Sequence, residues 1–190
     1  MQLLKDKIRR DAKIIDNRII QVSNFLNHQL DITLFNEIGK EFKARFSNKD
    51  ITKIVTIETS GIAIASIAAQ HFNNVPVVFA KKHAGLNMNQ DSYEAKVYSY
   101  TKDQEYTIKI SKEFISPADK ILIIDDFLAS GNAIMGLVNL ITQSGAEICG
   151  VGIVIEKAFQ GGRSLILEKG LQLESLAIID SIQDGQVLFK

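Results

Sequence analysis

The sequence predicts an α/β fold: a mainly parallel sheet covered by helices on both faces. Three observations carry that prediction. Apolar runs of strand length at 51–57, 75–80, 121–124 and 147–155 alternate with stretches of helical periodicity, the pattern of strand–helix–strand units. The run Ile121-Leu-Ile-Ile124 enters two adjacent carboxylates, Asp125 and Asp126, then a small-residue turn and an amphipathic segment with Ile134, Leu137, Val138 and Ile141 on one face. That is a buried strand, a turn and a helix. No repeat, low-complexity tract or Pro/Gly/Ser-rich linker divides the 190 residues, so 1–190 is expected to form a single domain with a substantial core.

Taken in order, residues 2–11 read as a mostly exposed helix. Asp31 is placed to cap a second helix, on which Phe35, Ile38, Phe42 and Phe46 share a face. Ile51–Ile57 reads as a strand, Glu58-Thr-Ser-Gly-Ile62 as a turn, and Ile62 to about His71 as a helix of small residues. Val75–Ala80 is a short strand with Pro76 at its entry, and Gly85–Gln90 a loop. Val97–Tyr100 and Tyr106–Ile110 alternate as an antiparallel pair should. Gly145 stops the helix after the acid pair. Glu147–Ile155 is a further strand containing two glycines, 163–169 a short helix ended by Gly170, and Ser175–Ile179 and Val187–Phe189 return to strand-like composition.

Bulk properties exclude several classes of function. Lys and Arg total 22 and Asp and Glu total 22, so no net field favours nucleic acid or an anionic membrane. Apolar runs fall well short of the ~18 residues that span a bilayer, and Met1–Asp11 is charged and lacks a signal-peptide core. The lone Cys149 sits in an apolar run and reads as a small buried hydrophobe. A cytoplasmic protein is expected.

The acid pair lies at the carboxyl end of its strand, the edge where open α/β sheets bind ligands. The turn after it offers free backbone N–H groups of a helix N-terminus, which hold anions. Acids that accept from hydroxyls, beside amides that hold phosphate, describe a site for a sugar phosphate. Glu58-Thr-Ser-Gly-Ile62 is a second anion-binding candidate, although many strand-to-helix turns look like it. Lys81, Lys82 and His83 follow the next strand and read equally as solvated residues or as cations facing a departing anion. No Gly-Lys-Ser/Thr phosphate loop and no Gly-x-Gly-x-x-Gly turn occurs.

The stretch Ile121-Leu-Ile-Ile-Asp-Asp-Phe-Leu-Ala-Ser-Gly-Asn-Ala133 resembles the phosphoribosyl-diphosphate (PRPP) signature of type I phosphoribosyltransferases. The resemblance implies that Asp125 and Asp126 bind the ribose hydroxyls. It implies that Ala129, Ser130, Gly131, Asn132 and Ala133 hold the 5′-phosphate, and that Thr59, Ser60 and Gly61 hold the diphosphate. Lys82 would act in catalysis. Ala133 departs from the pattern, since many relatives carry Thr there and keep a second hydroxyl. Ala129 stands where hypoxanthine–guanine members place an Asp, which points to the adenine and xanthine branches.

Ser23-Asn-Phe-Leu-Asn-His-Gln-Leu-Asp31 and Gly152-Ile-Val-Ile-Glu-Lys-Ala-Phe-Gln-Gly-Gly-Arg163 are similar to segments of bacterial members that use xanthine. By that resemblance Ile20, Asn27, Lys157 and Phe159 contact the purine. Lys157 would either favour an anionic base or contribute only its backbone carbonyl. Segments of about 1–35 and 156–190 would form a small hood, and the 85–110 excursion would carry a mobile loop. The family further implies Mg²⁺ bound mainly through PRPP oxygens, without a dedicated protein metal site, and a homodimer using xanthine and PRPP in purine salvage. Enzymes for another purine and a PRPP-sensing regulator are the rival readings, and the balanced charge disfavours the second.

Overall fold

A computed structural model of the chain describes residues 1–16, 19–82, 91–99 and 104–190. In chain order the elements are α1 (Gln2–Asp11), β1 (Lys13–Ile15), β2 (Ile19–Gln21), a π-type turn at Ser23–Asn27, α2 (Ile32–Arg45), β3 (Lys53–Ile57), α3 (Ser60–Ala69), β4 (Val77–Ala80), β5 (Ser92–Ser99) and β6 (Gln104–Ser111). There follow β7 (Lys120–Leu128), α4 (Asn132–Ser144), β8 (Glu147–Lys157), α5 (Gly162–Leu167), β9 (Leu173–Gln183) and β10 (Gln186–Phe189). Six strands form one sheet in the order β10-β9-β8-β7-β3-β4. Every pairing in it is parallel except β10 with β9. The expected mainly parallel sheet flanked by helices is therefore present, with an antiparallel strand on one edge.

Alternation along the strands sends side chains to two separate cores. Ile54, Leu122, Ile124 and Val154 join α1, α2 and α3 on one face. Val55, Ile57, Ile121, Ile123, Val151 and Ile153 join α4, α5 and the β5–β6 hairpin on the other. The predicted face of α2 is fully used: Phe35, Ile38, Phe42 and Phe46 are wholly buried, each contributing roughly 1.5–3 kcal/mol of burial. The Asp31 carboxylate accepts from the Leu34 N–H at 3.0 Å and pairs with Lys7 at 2.8 Å, so the expected cap forms. Cys149 is buried.

The two glycines of β8 let α2 approach the sheet closely. A Cβ at Gly150 would lie 2.5 Å from the Phe46 ring, and one at Gly152 would lie 2.8 Å from the Phe42 ring. The chain's two ends also meet: the Met1 amine donates to Leu176 O at 2.6 Å, and Lys5 Nζ to Lys190 O at 2.5 Å.

Some boundaries differ from expectation. α3 starts at Ser60, two residues earlier, and the hairpin strands run longer, from Ser92↔Ser111 to Ser99↔Gln104. The β1–β2 hairpin was not foreseen; its strands have three residues each and only Ile20 is buried, too little for a period to register. The expected loop at Gly85–Gln90, together with His83 and Tyr100, lies outside the described residues.

Gly152→Ala should destabilise the fold by about 1–3 kcal/mol through overpacking. Adding Phe42→Leu should recover part of that loss. Denaturant midpoints for the two single variants and the pair give the coupling, and strictly additive effects would contradict the contact.

Candidate active site

The acid pair sits where β7 reaches the carboxyl edge of the sheet. Asp125 is buried and Asp126 half-buried. Each carboxylate turns back on the chain: the Asp126 N–H donates to Asp125 Oδ1 at 3.0 Å, and the Phe127 N–H to Asp126 Oδ1 at 2.9 Å. Burial, and then the neighbouring charge of Asp126, push the Asp125 carboxyl well above the ordinary carboxylate range. Burial also raises Asp126, opposed by hydrogen bonds from Asp125, the Phe127 N–H and Ser60. Two such acids resist carrying two full charges until something cationic or hydroxylated arrives.

The β3–α3 turn packs directly on the pair. A Cβ on Gly61 would fall 2.9 Å from Asp125 Oδ1 and 2.0 Å from Thr56 Oγ1, so only glycine lets this turn reach the acids. Ser60 touches Asp126, Thr59 is exposed, and the Glu58–Thr59 peptide is cis. The Glu58 carboxylate accepts from the Lys82 backbone N–H. The exposed Lys82 ammonium stands 5.6 Å from the Tyr106 ring centroid and pulls Asp125 slightly back toward ionisation. Lys81 is tied down through paired backbone hydrogen bonds of 3.0 Å with Lys109.

Beyond the acids, β7 opens into a cleft of about 770 Å³. Ala129, Ser130, Gly131, Asn132 and Ala133 line it, facing Tyr106, Phe127, Gln160, Gly161 and Leu165. Gly131 adopts φ 88° as the N-cap of α4, a conformation that suits glycine, and its carbonyl accepts the first helical bond from Met135 at 2.9 Å. The next amides are left pointing along the helix axis at the cleft, an arrangement that binds anions. The Asn132 side chain faces another way: its Nδ2 donates to Tyr98 O at 3.0 Å, docking the β5–β6 hairpin on the helix.

The expected base-side residues are more dispersed. Ile20 is buried on β2 within the cluster that Phe127 also joins, and Asn27 is exposed at the end of the π-type turn. Lys157 is half-buried at the end of β8, with its ammonium 5.5 Å from the Phe127 ring centroid and its pKa lowered by burial. Phe159 is 50% exposed. Sequence reasoning missed Tyr106, Phe127, Gln160 and Leu165 as cleft walls, and it missed Glu58 as the partner of Lys82. Phe127, Gln160 and Glu58 lie inside the quoted motifs, whereas Tyr106 and Leu165 carry no local signal.

No cluster of three His, Cys, Asp or Glu suited to a metal occurs among the described residues. Among those residues no helix is long and apolar enough to cross a membrane.

The raised acids set a sign for stability. A carboxyl whose folded pKa exceeds its unfolded value of 3.8 favours the fold when protonated, and that contribution is lost as pH rises through the folded pKa. Asp125→Asn mimics the protonated group and keeps the acceptor for the Asp126 N–H. The ligand-free variant should therefore melt above the wild type at pH 8, by a margin that shrinks toward pH 4. Melting curves across that range would contradict the account if the variant were less stable at pH 8.

The chain matches the model of the phosphoribosyl transferase domain over residues 21–183. It is 65% identical to "Xanthine phosphoribosyltransferase" of Clostridium tetani and 56% identical to the protein of that name from Clostridium novyi, in both cases over 100% of each chain. Among solved structures it is similar to adenine phosphoribosyltransferase from Trypanosoma brucei, with a TM-score of 0.77 and 18% identity over 96% of this chain and 82% of that one. It is also similar to the Giardia lamblia adenine enzyme complexed with 9-deazaadenine, with a TM-score of 0.76 and 22% identity over 91% and 96%. With a buried acid pair, an amide-lined turn and a family model spanning most of its length, the chain belongs to the phosphoribosyltransferase family.

Proposed function

We propose that the protein transfers the 5-phosphoribosyl group of PRPP to N9 of xanthine, releasing xanthosine 5′-monophosphate and diphosphate in purine salvage. The observation that carries this reading is the acid pair set between two amide-bearing turns, on a chain 65% identical along its whole length to a protein named for that reaction. Asp125 and Asp126 accept hydrogen bonds from the ribose 2′- and 3′-hydroxyls. Their charge then stabilises the cationic character that develops at C1′ as diphosphate leaves. The Ala129–Ala133 turn holds the 5′-phosphate through its backbone N–H groups, with the Ser130 hydroxyl assisting. Because Ala133 brings no hydroxyl, the amides carry more of that binding.

Thr59, Ser60 and Gly61 receive the diphosphate, and Lys82 balances its charge as the C1′–O bond breaks. Mg²⁺ held mainly by PRPP oxygens needs few protein ligands, so the site requires no dedicated set of carboxylate donors. An Mg²⁺ ion so held would supply positive charge to offset that of the leaving diphosphate. On the base side, Ile20 supplies an apolar surface, Asn27 both donates and accepts, Lys157 favours an anionic base, and Phe159 packs against it. Xanthine is acidic enough to be partly ionised near neutral pH, so it supplies a nucleophilic N9 without a strong protein base. Ala129, which offers no carboxylate, accords with that. A homodimer in the cytoplasm completes the proposal.

Steady-state assays with PRPP and Mg²⁺ against xanthine, guanine, hypoxanthine and adenine test the base assignment. The kcat/KM for xanthine should exceed the others clearly. Preference for another purine would overturn the base site and leave the PRPP site standing. Replacing both Asp125 and Asp126 by Asn should lower kcat by about 10²–10³-fold, as loss of transition-state electrostatics does. Near-normal turnover in a folded double variant would remove the acids from the mechanism.

A further inference from the structure

Outside the cleft lies a charged cluster that is built on a buried carboxylate and is unused by the chemistry above. Glu156, 1% exposed near the end of β8, accepts from Arg163 Nε at 2.7 Å and from Arg163 Nη2 at 2.5 Å. The Ser175 hydroxyl on β9 donates to Glu156 Oε2 at 2.5 Å. This is a two-pronged pair between a buried carboxylate and a partly exposed guanidinium, with the spare acceptor filled, a geometry that holds both groups in a fixed orientation.

What it fixes is the turn between β8 and α5. Gly162, the residue before Arg163, donates its N–H to Ala129 O at 3.0 Å. A Cβ on Gly162 would fall 2.4 Å from Ala129 O and 2.8 Å from Gly131 N, so its backbone lies flush against the phosphate turn. Gly161 adopts φ 79° and lines the cleft with Gln160. One wall of the cleft is thus pressed onto the backbone of the 129–131 turn, next to an arginine that is partly exposed but tied to the buried Glu156 carboxylate.

We infer that the Glu156–Arg163 pair is a positioning device that clamps the Gly161–Gly162 turn onto the Ala129–Gly131 backbone, fixing the phosphate-binding amides and the adjoining wall as one unit. This rests on the phosphate-site reading given above. Arg163 is not among the residues lining the cleft, so it acts through Gly162 and is a positioning residue, not a catalytic one. Lysine cannot replace it, because a single ammonium lacks the fork that sets the carboxylate's orientation.

The test compares the wild type with Arg163→Lys, which keeps the charge, and with the neutral pair Glu156→Gln/Arg163→Gln, which leaves no unpaired buried charge. PRPP affinity is measured by titration calorimetry with Mg²⁺, alongside melting temperature and the KM and kcat for xanthine. Both variants should fold, yet bind PRPP about tenfold more weakly or worse, the scale that small misplacements reach. The KM for xanthine should rise with it, and kcat at saturation should change less. PRPP affinities within twofold of wild type would overturn the inference, whatever happens to the melting temperature, and leave the pair a structural staple.

If neither variant folds, Ser175→Ala removes only the third partner. It should weaken PRPP binding by about threefold, and unchanged binding would again overturn the clamp. Wild-type behaviour separates the two readings: failure to use xanthine despite PRPP binding removes the base assignment, while the variants' PRPP affinities still decide the clamp.

Discussion

Parallel pairing of β7 with its neighbours is the constraint on which everything else depends. In a parallel sheet each strand must return through a crossover, so all the strand-to-helix turns emerge at one edge. Two of them, 58–61 and 129–132, come to stand on either side of the acid pair because β3 is the immediate neighbour of β7. The crossovers also cover both faces of the sheet, which leaves Ile121–Ile124 wholly buried. Rigidity at the edge is inherited from packing in the middle.

That arrangement carries an electrostatic cost. Asp125 is held in a setting that opposes its charge, and the Thr56 hydroxyl beside it has no hydrogen-bond partner among the described residues. An unpaired buried hydroxyl costs about 1–3 kcal/mol. Both features are unfavourable for the folded chain alone. In the proposed reaction a carboxylate fixed in advance in this way would act most strongly on positive character forming at C1′, because no solvent has to reorganise around it. Burial of Glu156 differs in kind, since that acid has its full set of partners within the protein.

The fold was legible because its signals are local and repetitive. Ile121–Ile124 followed by Asp125 and Asp126 announces a buried strand reaching a polar edge, and Phe35, Ile38, Phe42 and Phe46 announce a helix face. The two glycines of β8 were visible as an oddity, but their reason, the Phe42 and Phe46 rings, lies more than a hundred residues away in sequence. The turn at 129–132 between that strand and α4 was readable for the same local reason. Tyr106, Gln160 and Leu165 were not, since each reaches the cleft only through the placement of a hairpin or a short helix. The β1–β2 hairpin escaped because three residues per strand give no usable period. Glu156 and Arg163 stood in a quoted motif, yet nothing in the motif says that the acid is inside and the arginine its lid.

The contact between the hairpin and α4 has a mechanical corollary. A Cβ at Gly136 would come within 2.4 Å of Val97 Cγ2 and 3.1 Å of Ile108 Cδ1, so the β5–β6 ribbon is seated in a notch in the helix and latched by Asn132. A ribbon held in a notch cannot glide along the helix, and toward Ser92 it is tied again by the paired Lys81–Lys109 backbone bonds and by Gln143 Nε2, which donates to Glu94 O at 2.9 Å. Held at separate places along its length, the ribbon acts as a brace between α4 and β4 rather than as a hinge.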